Sequence, residues 1–368
     1  MLETLSETYG DPLVLFVGGL AVGGLFGAAA QHSRFCLRAA TIEFSHFQFG
    51  PRLAVWLLAF GAAVLATQSA IQAGWLDIAD ARQIAATGSL SGAIIGGGLF
   101  GIGMILARGC ASRLLVFSAT GNLRALVTGL ILTIVAQASL RGGLSPAREA
   151  LAGLWTVPGG TARDLLTAAG FGTQGGLIFG AITLVIGIAL AFRGHLRATH
   201  GVAALLVGVA IAAGWAFTYA MTQVSFEPLQ PGSVSFTGPS ADTLMGLVNA
   251  RSLPLTFSVG LVPGVFAGSA IAALLTRDWT LQGFDGGPSM LRYFAGAGLM
   301  GFGSMLAGGC AVGAGVSGGA IFALTAWVAL AAMWAGAVAT ALVEARWPAP
   351  AAPAAARGVD ATAPHHAV

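Results

Sequence analysis

Apolar residues in this chain are collected into nine runs of about 20, the length of helix that crosses the hydrocarbon core of a bilayer. The runs cover roughly residues 13–33, 52–73, 88–108, 122–141, 174–193, 200–221, 253–276, 291–309 and 319–345. Runs of this length indicate membrane helices rather than the core helices of a soluble protein. The pattern predicts an all-α polytopic membrane protein with nine transmembrane helices.

Three further segments are apolar but too short to cross a membrane, and they carry glycine or polar residues. They cover residues 36–46, 110–120 and 310–318. Irregular backbone at membrane depth is tolerated where protein or a cavity surrounds it, so these segments are predicted to be short re-entrant helices. Two other stretches are predicted to lie outside the membrane: 142–173 as a polar connection, and 348–368 as a disordered tail rich in alanine and proline.

One 14-residue stretch occurs twice. The copy from Gly98 to Ala111 and the copy from Gly298 to Ala311 lie 200 residues apart and agree at nine of fourteen positions. Because four predicted spans lie in each half and one lies between them, the second copy should be inverted relative to the first. The predicted parts are 1–141 for the first repeat, 142–199 for the polar connection and inverting fifth span, and 200–347 for the second repeat.

The glycines inside the repeated stretch have two interpretations. A spacing such as that from Gly97 to Gly101 is more often a helix-packing motif than a binding site. We therefore assign six glycines to helix packing: Gly98, Gly101, Gly103, Gly298, Gly301 and Gly303.

Composition narrows the class of protein further. Hydrophobic residues make up 56% of the 368 residues and charged residues only 8%, whereas charged residues are about a quarter of a soluble protein. The 17 basic residues are all arginines scattered singly between apolar runs, and the net charge is only +3, which argues against a large nucleic-acid-binding patch. Three cysteines without a Cys-x-x-Cys pair argue against a disulfide framework and a zinc or iron–sulfur site. We expect neither metal nor cofactor.

The arginines also predict an orientation in the membrane. Counted on alternate connections, twelve lie on one side and five on the other, and the more basic side is normally cytoplasmic. Without Arg34, Arg38, Arg108 and Arg113, which fall in predicted re-entrant segments, the split is eight to five. The prediction is an external N-terminus and a cytoplasmic C-terminus.

Candidate chemistry lies where the predicted helices break. Cys36, Cys110 and Cys310 each stand at such a break, and Gly109 and Gly309 weaken the helix directly before two of them. In transporters built from inverted repeats, the substrate site lies where broken helices meet near the bilayer midplane. Cys110 and Cys310 occupy equivalent positions of the two copies, so they are predicted to face each other at a constriction, with Cys36 nearer the cytoplasmic exit.

A fourth break is predicted about 200 residues after Cys36, in the polar stretch from Ser235 to Leu244. Three residues there would present loop backbone to a substrate: Thr237, Gly238 and Pro239. The starts of the short helices carry unpaired amide groups that attract anions. Four arginines near the breaks are candidates for anion guidance: Arg34, Arg38, Arg108 and Arg113. Arg108 and Arg113 have an equal alternative as anchors at the cytoplasmic edge.

Other interpretations of these residues remain. A single buried cysteine is usually a small hydrophobic residue, but three cysteines at equivalent breaks favour a substrate path. A membrane redox enzyme would need paired histidines for haem or a Cys-x-x-Cys couple. An aquaporin-type channel would need Asn-Pro-Ala tips, which the chain lacks. A passive channel mechanism stays open, and the missing phosphate-binding loop argues against direct ATP coupling.

The sequence resembles the YeeE/YedE family of bacterial inner-membrane transporters, which is best known for thiosulfate uptake. The resemblance covers most of residues 13–345 and rests on Ser33-Arg34-Phe35-Cys36, on the runs ending in Gly109-Cys110 and Gly309-Cys310, and on the stretch Ser235 to Leu244. It implies an hourglass-like fold of nine spans and four short helices around a narrow path. It also implies that the three cysteines are the functional residues and that a TusA-like sulfur carrier takes the substrate on the cytoplasmic side. Some family members are assigned to other sulfur or selenium compounds.

Thiosulfate is chemically suited to a path lined by thiols. It carries two negative charges and a large, soft terminal sulfur that accepts hydrogen bonds weakly. A thiol donates S–H to that sulfur without holding it tightly, and weak sites in series permit passage.

Overall fold

The computed structural model describes residues 2–249, 254–283 and 287–346, and this part of the chain is mostly helical. The predicted disordered tail and residue 347 lie outside these ranges. The α-helices are α1 Leu2–Tyr9, α2 Asp11–Ser33, α3 Leu37–Ser45, α4 Pro51–Gln72, α5 Arg82–Ala85, α6 Leu90–Leu106, α7 Ala111–Ala119, α8 Leu123–Arg141, α9 Ser145–Gly153, α10 Leu165–Ala168, α11 Gly172–Arg193, α12 Ala198–Thr222, α13 Thr237–Asn249, α14 Phe257–Thr276, α15 Gly287–Leu306 and α16 Leu324–Arg346. A 3₁₀-helix covers Thr161–Arg163, a π-helix covers Ala311–Gly318, and the strands β1 Gly88–Ser89 and β2 Thr156–Val157 pair antiparallel.

Nine helical segments in the described ranges are long and apolar enough to cross a membrane, which confirms the predicted all-α polytopic fold. The largest boundary error is at the last span, which was expected from residue 319 but begins at Leu324. Residues 319 and 320 are still helical, and a turn follows at 321–323 in which Phe322 has a positive φ of 54°. The seventh span begins at Phe257, where the side chain of Thr256 accepts a hydrogen bond from the amide of Val259 at 3.2 Å.

Four short elements come directly after breaks in the chain, and we call them half-helices. The first is α3, the second α7, the third α13 and the fourth the π-helix Ala311–Gly318. The sequence predicts three of the four as helices, and the structure confirms them. The third was expected as a loop, but the chain forms 13 helical residues there. Gly238 and Pro239 lie in its first turn, where a backbone N–H has no helical partner and proline is therefore tolerated.

Glycines let the long helices pack backbone to backbone. A Cβ at Gly96 would stand 2.5 Å from the carbonyl oxygen of Gly303, and a Cβ at Gly103 would stand 2.5 Å from that of Gly296. These two contacts join α6 to α15. They are equivalent, because Gly96 corresponds to Gly296 and Gly303 corresponds to Gly103 in the two copies. A similar interlock joins α2 to α14, where each Cβ would meet a carbonyl oxygen of the other helix within 2.4 Å; the glycines are Gly19, Gly23, Gly27, Gly260, Gly264 and Gly268.

The packing assignment holds for four of the six glycines of the repeated stretch. Carbonyl oxygens of neighbouring helices lie within 2.7 Å of the Cβ position at Gly101, Gly103, Gly301 and Gly303. The Cβ positions at Gly98 and Gly298 face open space, although the carbonyl of Gly98 supports the approach of another helix at Gly336. The assignment is therefore wrong for Gly298, because no helix of the described ranges packs on that side of α15.

The contacts between elements are paired across the two halves. The α2–α14 contact has its counterpart in α12–α4, α6–α16 in α15–α8, and α3–α16 in α13–α8. The second half-helix packs on α8 as the fourth packs on α16, and these two half-helices touch each other. Helix α11 lies outside this pairing and packs on α4, with Gly61 of α4 and Gly180 of α11 allowing the close approach.

The connection from 142 to 171 is folded rather than a plain polar linker. It contains α9, β2, the 3₁₀-helix and α10. The amide of Leu165 donates to the carbonyl of Phe322 at 3.1 Å, and Asp164 forms a β-bridge with Ala323. The segment therefore covers the turn after the fourth half-helix.

Candidate functional site

All three cysteines stand immediately before a half-helix. Cys36, Cys110 and Cys310 are the N-cap residues of the first, second and fourth half-helices, with extended backbones. The Sγ of Cys110 lies 3.3 Å from the Oγ of Ser112, and the Sγ of Cys310 accepts from the amide of Gly313 at 3.5 Å. Each thiol therefore lies beside backbone N–H groups at the positive end of a helix dipole.

A left-handed residue ends the long helix before each thiol. Arg34 comes after α2 with φ of 56°, Arg108 comes after α6 with φ of 55°, and Gly308 comes after α15 with φ of 81°. The amide of Arg34 donates to the carbonyls of Ala30 and Gln31, as in a helix C-cap. The chain thus turns sharply at all three breaks, and it does so twice with arginine, where glycine would be less strained.

Gly109 and Gly309, which come directly before two of the thiols, differ in whether a side chain would fit in their place. A Cβ at Gly309 would stand 2.7 Å from the amide nitrogen of Ala314, so the fourth half-helix approaches too closely for a side chain. A Cβ at Gly109 would make an ordinary contact with Leu114, 3.4 Å away. Of these two glycines, Gly309 alone is required by a close approach.

All three cysteines are free thiols, and Cys36 and Cys110 lie close enough for each to act on the ionisation of the other. The predicted constriction between Cys110 and Cys310 stays a prediction. Cys110 and Cys310 are both 1% exposed, and their half-helices are in contact.

Arg113 is a buried cation beside this thiol pair. Its residue is 8% exposed, and its charge acts on both Cys36 and Cys110. One guanidinium N–H donates to the carbonyl of Ala30 at 3.3 Å, and the guanidinium carbon lies 4.0 Å from the ring centroid of Phe117. None of the ion pairs in the described ranges includes Arg113. The side chain of Arg113 is thus enclosed by the bundle.

Arg38 and Arg108 belong to a second group of arginines, which we call the basic cluster; its members are Arg38, Arg108, Arg124 and Arg292. The guanidinium carbons of Arg108 and Arg124 lie 5.9 Å and 4.9 Å from the ring centroid of Tyr293. Arg292 forms an ion pair with Glu344, and the charges of Arg108, Arg292 and Glu344 all act on Arg38. Arg38 and Arg108 therefore lie in a group of arginines that is separate from Arg113 and includes the ion pair of Arg292 with Glu344.

A cavity of about 270 Å³ adjoins the fourth half-helix. It is lined in part by Arg82, Arg148, Arg163, Gly308 and Ala314. Arg82 donates to the carbonyl of Gly308 at 3.5 Å, and Arg163 donates to the carbonyl of Ala86 at 2.6 Å and to the hydroxyl of Thr325. Burial and the neighbouring Arg82 lower the pKa of Arg163.

Sequence reasoning missed these three arginines because they lie in loops assigned to plain connections. One signal in the sequence could have drawn attention to them: Arg82, Arg148 and Arg163 are among the five arginines on the less basic side of the membrane. Only folding of the connection over the second half brings them to the cavity.

Thr237 begins the third half-helix, at the position that corresponds to Cys36. The residue is 1% exposed, and its Oγ1 is buried without a hydrogen-bond partner in the described ranges. The preceding Phe236 packs on Phe26, with ring centroids 5.1 Å apart. The expectation that Thr237, Gly238 and Pro239 provide loop backbone is therefore corrected: they form the first turn of a helix.

Arg34 lies apart from the thiol pair. It is exposed and lines a small cavity with Arg52 and Arg197, between the ends of α2, α4 and α12. The structure therefore separates the four candidate arginines into three groups: Arg113 at the thiols, Arg38 and Arg108 in the basic cluster, and Arg34 at this lateral cavity.

The described residues thus define a polytopic membrane bundle whose helix breaks carry three thiols and a buried arginine. The chain belongs to the family described as Sulphur transport, whose model matches residues 32–339. It is 26% identical over 346 residues to the thiosulfate transporter TsuA of Escherichia coli strain K12, covering 87% of this chain and 92% of that protein. It is also 26% identical over 323 residues to the thiosulfate transporter TsuA of Spirochaeta thermophila, covering 84% and 93% of the two chains.

Proposed function

We propose that this protein takes up thiosulfate, or a closely related sulfur anion, across the bacterial inner membrane. The observation that carries the proposal is Arg113, a buried cation that has no carboxylate partner in the described ranges and lies beside the thiols of Cys36 and Cys110. A buried charge is costly unless it is paired. A sulfur anion would pair with the arginine through its oxygens and with the thiols through its terminal sulfur.

The path we propose runs from the cavity at Arg82 and Arg163, past Cys310, to Cys110 and Cys36. Arginines around the cavity would concentrate an anion next to Gly308, two residues before Cys310. Contact between the second and fourth half-helices supports transfer from Cys310 to Cys110. The exit would lie at the basic cluster, where Arg38 and Arg108 guide the anion from the membrane.

The thiols would act as weak hydrogen-bond donors in series. Each S–H group interacts with the soft terminal sulfur of thiosulfate more weakly than an arginine would, so the anion is passed on rather than trapped. Thiols also distinguish thiosulfate from sulfate, because the corresponding oxygen of sulfate is smaller, harder and more strongly hydrated. Selectivity is thus assigned to the thiols and charge neutralisation to the arginines.

We propose that residues 1–141 and 200–347 form an inverted repeat, with α11 in the inverting position. The reciprocal contacts Gly96 to Gly303 and Gly103 to Gly296 support this, because a two-fold axis between α6 and α15 would generate one from the other. We further propose a periplasmic N-terminus, a cytoplasmic C-terminus and delivery to a TusA-like carrier at the basic cluster. A reporter fused to the C-terminus should be active only in its cytoplasmic form, and periplasmic activity would reverse the orientation.

Uptake by cells expressing this chain tests the function directly. Labelled thiosulfate should accumulate, and unlabelled thiosulfate should compete far better than sulfate. Selenite and sulfide test the other sulfur and selenium substrates known for the resembling family. Equal competition by sulfate and thiosulfate would remove the role of the thiols in selectivity, and accumulation of selenite alone would replace thiosulfate as the substrate.

A membrane thiol redox protein is the second candidate function, and the proximity of the free thiols of Cys36 and Cys110 favours it. A redox role requires these two cysteines to form a disulfide during turnover. Trapping of thiols with a mass label after exposure to oxidant would reveal it. Uptake that continues while both thiols stay reduced supports transport, whereas cycling of the disulfide without uptake supports the redox role.

A further inference from the structure

Two adjoining concavities lie on the outside of the bundle, where the ends of α2, α4 and α12 meet. A basic cavity of about 110 Å³ is lined in part by Arg34, Arg52, Arg197 and His200. An apolar groove of about 560 Å³ runs along α2, α12 and α14 and includes His32. The rings of His32 and His200 have centroids 5.3 Å apart, so the groove and the cavity meet at this pair.

The basic cavity has an excess of positive charge. Arg34, Arg52 and Arg197 are exposed residues that come from the ends of three different helices. The carboxylate of Glu43 lies 3.9 Å from the guanidinium of Arg52, but its oxygens also accept from the amides of Arg52 and Leu53. Asp278 is the one carboxylate whose charge reaches His200 in the described ranges. Three arginines therefore face one carboxylate at Arg52 and one at His200.

The groove is apolar and open to the surrounding membrane. Val202 is 57% exposed and Leu275 is 80% exposed, and both line the groove. Aliphatic side chains that are exposed on a transmembrane helix face lipid chains. A cavity lined by arginines at the end of such a groove has the two parts that a phospholipid needs, one for its phosphate and one for an acyl chain.

We propose that this site binds one anionic phospholipid, with its headgroup phosphate at Arg34, Arg52 and Arg197 and an acyl chain along Val202. Basic pockets between transmembrane helices bind anionic headgroups. A soluble anion would use the arginines but would leave the groove unused, so the groove favours a lipid. The bound lipid would hold together the ends of α2, α4 and α12, and Arg34 lies two residues before Cys36. It would thereby stabilise the break that positions this thiol.

Native mass spectrometry of the purified full chain tests the proposal with two lipids that share the same acyl chains, phosphatidylglycerol and phosphatidylcholine. The wild-type protein should retain phosphatidylglycerol preferentially. The double variant Arg52→Gln/Arg197→Gln should lose most of this preference, since each arginine near an anionic headgroup contributes roughly fivefold to binding. Val202→Trp should weaken retention of both lipids, because the indole fills the groove.

Arg346→Gln is the matched control, since Arg346 is exposed at the end of α16 and lies outside both linings. It should retain phosphatidylglycerol as the wild type does. Thermal unfolding with phosphatidylglycerol or with inorganic phosphate separates the two sources of phosphate, because a bound ligand raises the unfolding temperature. Equal stabilisation by inorganic phosphate, equal retention of the two lipids, or an equal loss in Arg346→Gln would each overturn the proposal.

Discussion

Cys110 and Cys310 lie in two copies of the same local structure, so their surroundings can be compared directly. In both copies a long helix ends at a residue with positive φ, Arg108 or Gly308, and a buried cysteine then caps a half-helix. The backbone geometry is common to both copies because the apolar, glycine-rich run before each cysteine is common to both. The two copies therefore share the helix break and the thiol that follows it.

The copies differ in the half-helix that begins after the cysteine. The first copy has a regular α-helix that carries Arg113, whereas the second has a π-helix with Gly313 in the equivalent position. A Cβ at Gly313 would stand 2.3 Å from the Oγ of Ser235, so this copy is packed against the segment before the third half-helix. The comparison shows that the break and the capping cysteine are repeated, whereas the form of the half-helix and the buried charge are not. An anion would pass two similar thiols and find one arginine.

The largest expected effect comes from removing either thiol, the feature that both copies share. Cys110→Ala and Cys310→Ala should each abolish growth on thiosulfate as sole sulfur source, in a strain without its own uptake, while expression is unchanged. Cys310→Ser should rescue only partly, because a hydroxyl is smaller and harder and prefers oxygen partners. Normal growth of both alanine variants would leave the cysteines as core packing.

Removing the unshared charge should have the next largest effect. Arg113→Gln should lower uptake by about 30-fold, since a hydrogen bond to a charged group contributes roughly 2 kcal/mol. Arg113→Lys should be intermediate, because lysine keeps the charge but loses the planar fork. Rates measured over a range of thiosulfate concentrations, with Arg346→Gln as control, should show a raised KM. Uptake by Arg113→Gln at the rate of the control would contradict the assignment of Arg113 to the anion.

Adding a side chain at Gly313 tests whether the second copy depends on close packing against Ser235. Gly313→Ala should lower the free energy of unfolding by about 1–3 kcal/mol, because the added methyl overlaps Ser235. Gly298→Ala is the control, since a Cβ there faces open space and alanine favours the interior of α15, so stability should stay the same or rise by up to about 1 kcal/mol. Thermal unfolding in detergent measures both variants. Equal stability of the two would show that the fourth half-helix moves aside without cost.

The smallest expected effect is at the position that corresponds to Cys36 but has no thiol. Thr237→Val removes the buried hydroxyl, which has no partner in the described ranges, and keeps the shape of the side chain. Uptake should fall a few fold if this hydroxyl meets the anion, while stability should rise by about 1 kcal/mol because an unsatisfied polar group is lost. Thr237→Ser should keep normal uptake. Unchanged uptake by Thr237→Val would restrict Thr237 to a structural role.

Much of the fold could be predicted because its signals are local. Each span is a run of about 20 apolar residues, and each of three half-helices comes after a recognisable break at Arg34, Arg108 or Gly308. The residue pattern did not indicate the third half-helix, because Gly238 and Pro239 usually indicate a loop, and only the family resemblance implied a fourth short helix. The same local sequence allows this proline either in the first turn of a helix or in a loop. Burial of Phe236 against Phe26 decides between these two structures.

The sequence by itself determined the membrane class, the nine spans and the positions of the three cysteines at breaks. These result from hydrophobic length and from glycine next to cysteine, and both act over a few residues. Only the tertiary structure decided that Cys36 lies near Cys110, that Arg113 is buried beside them, and that Arg163 reaches the cavity at the fourth half-helix. These contacts depend on how helices distant in the chain pack, and backbone approach at glycines such as Gly96 and Gly303 sets that packing.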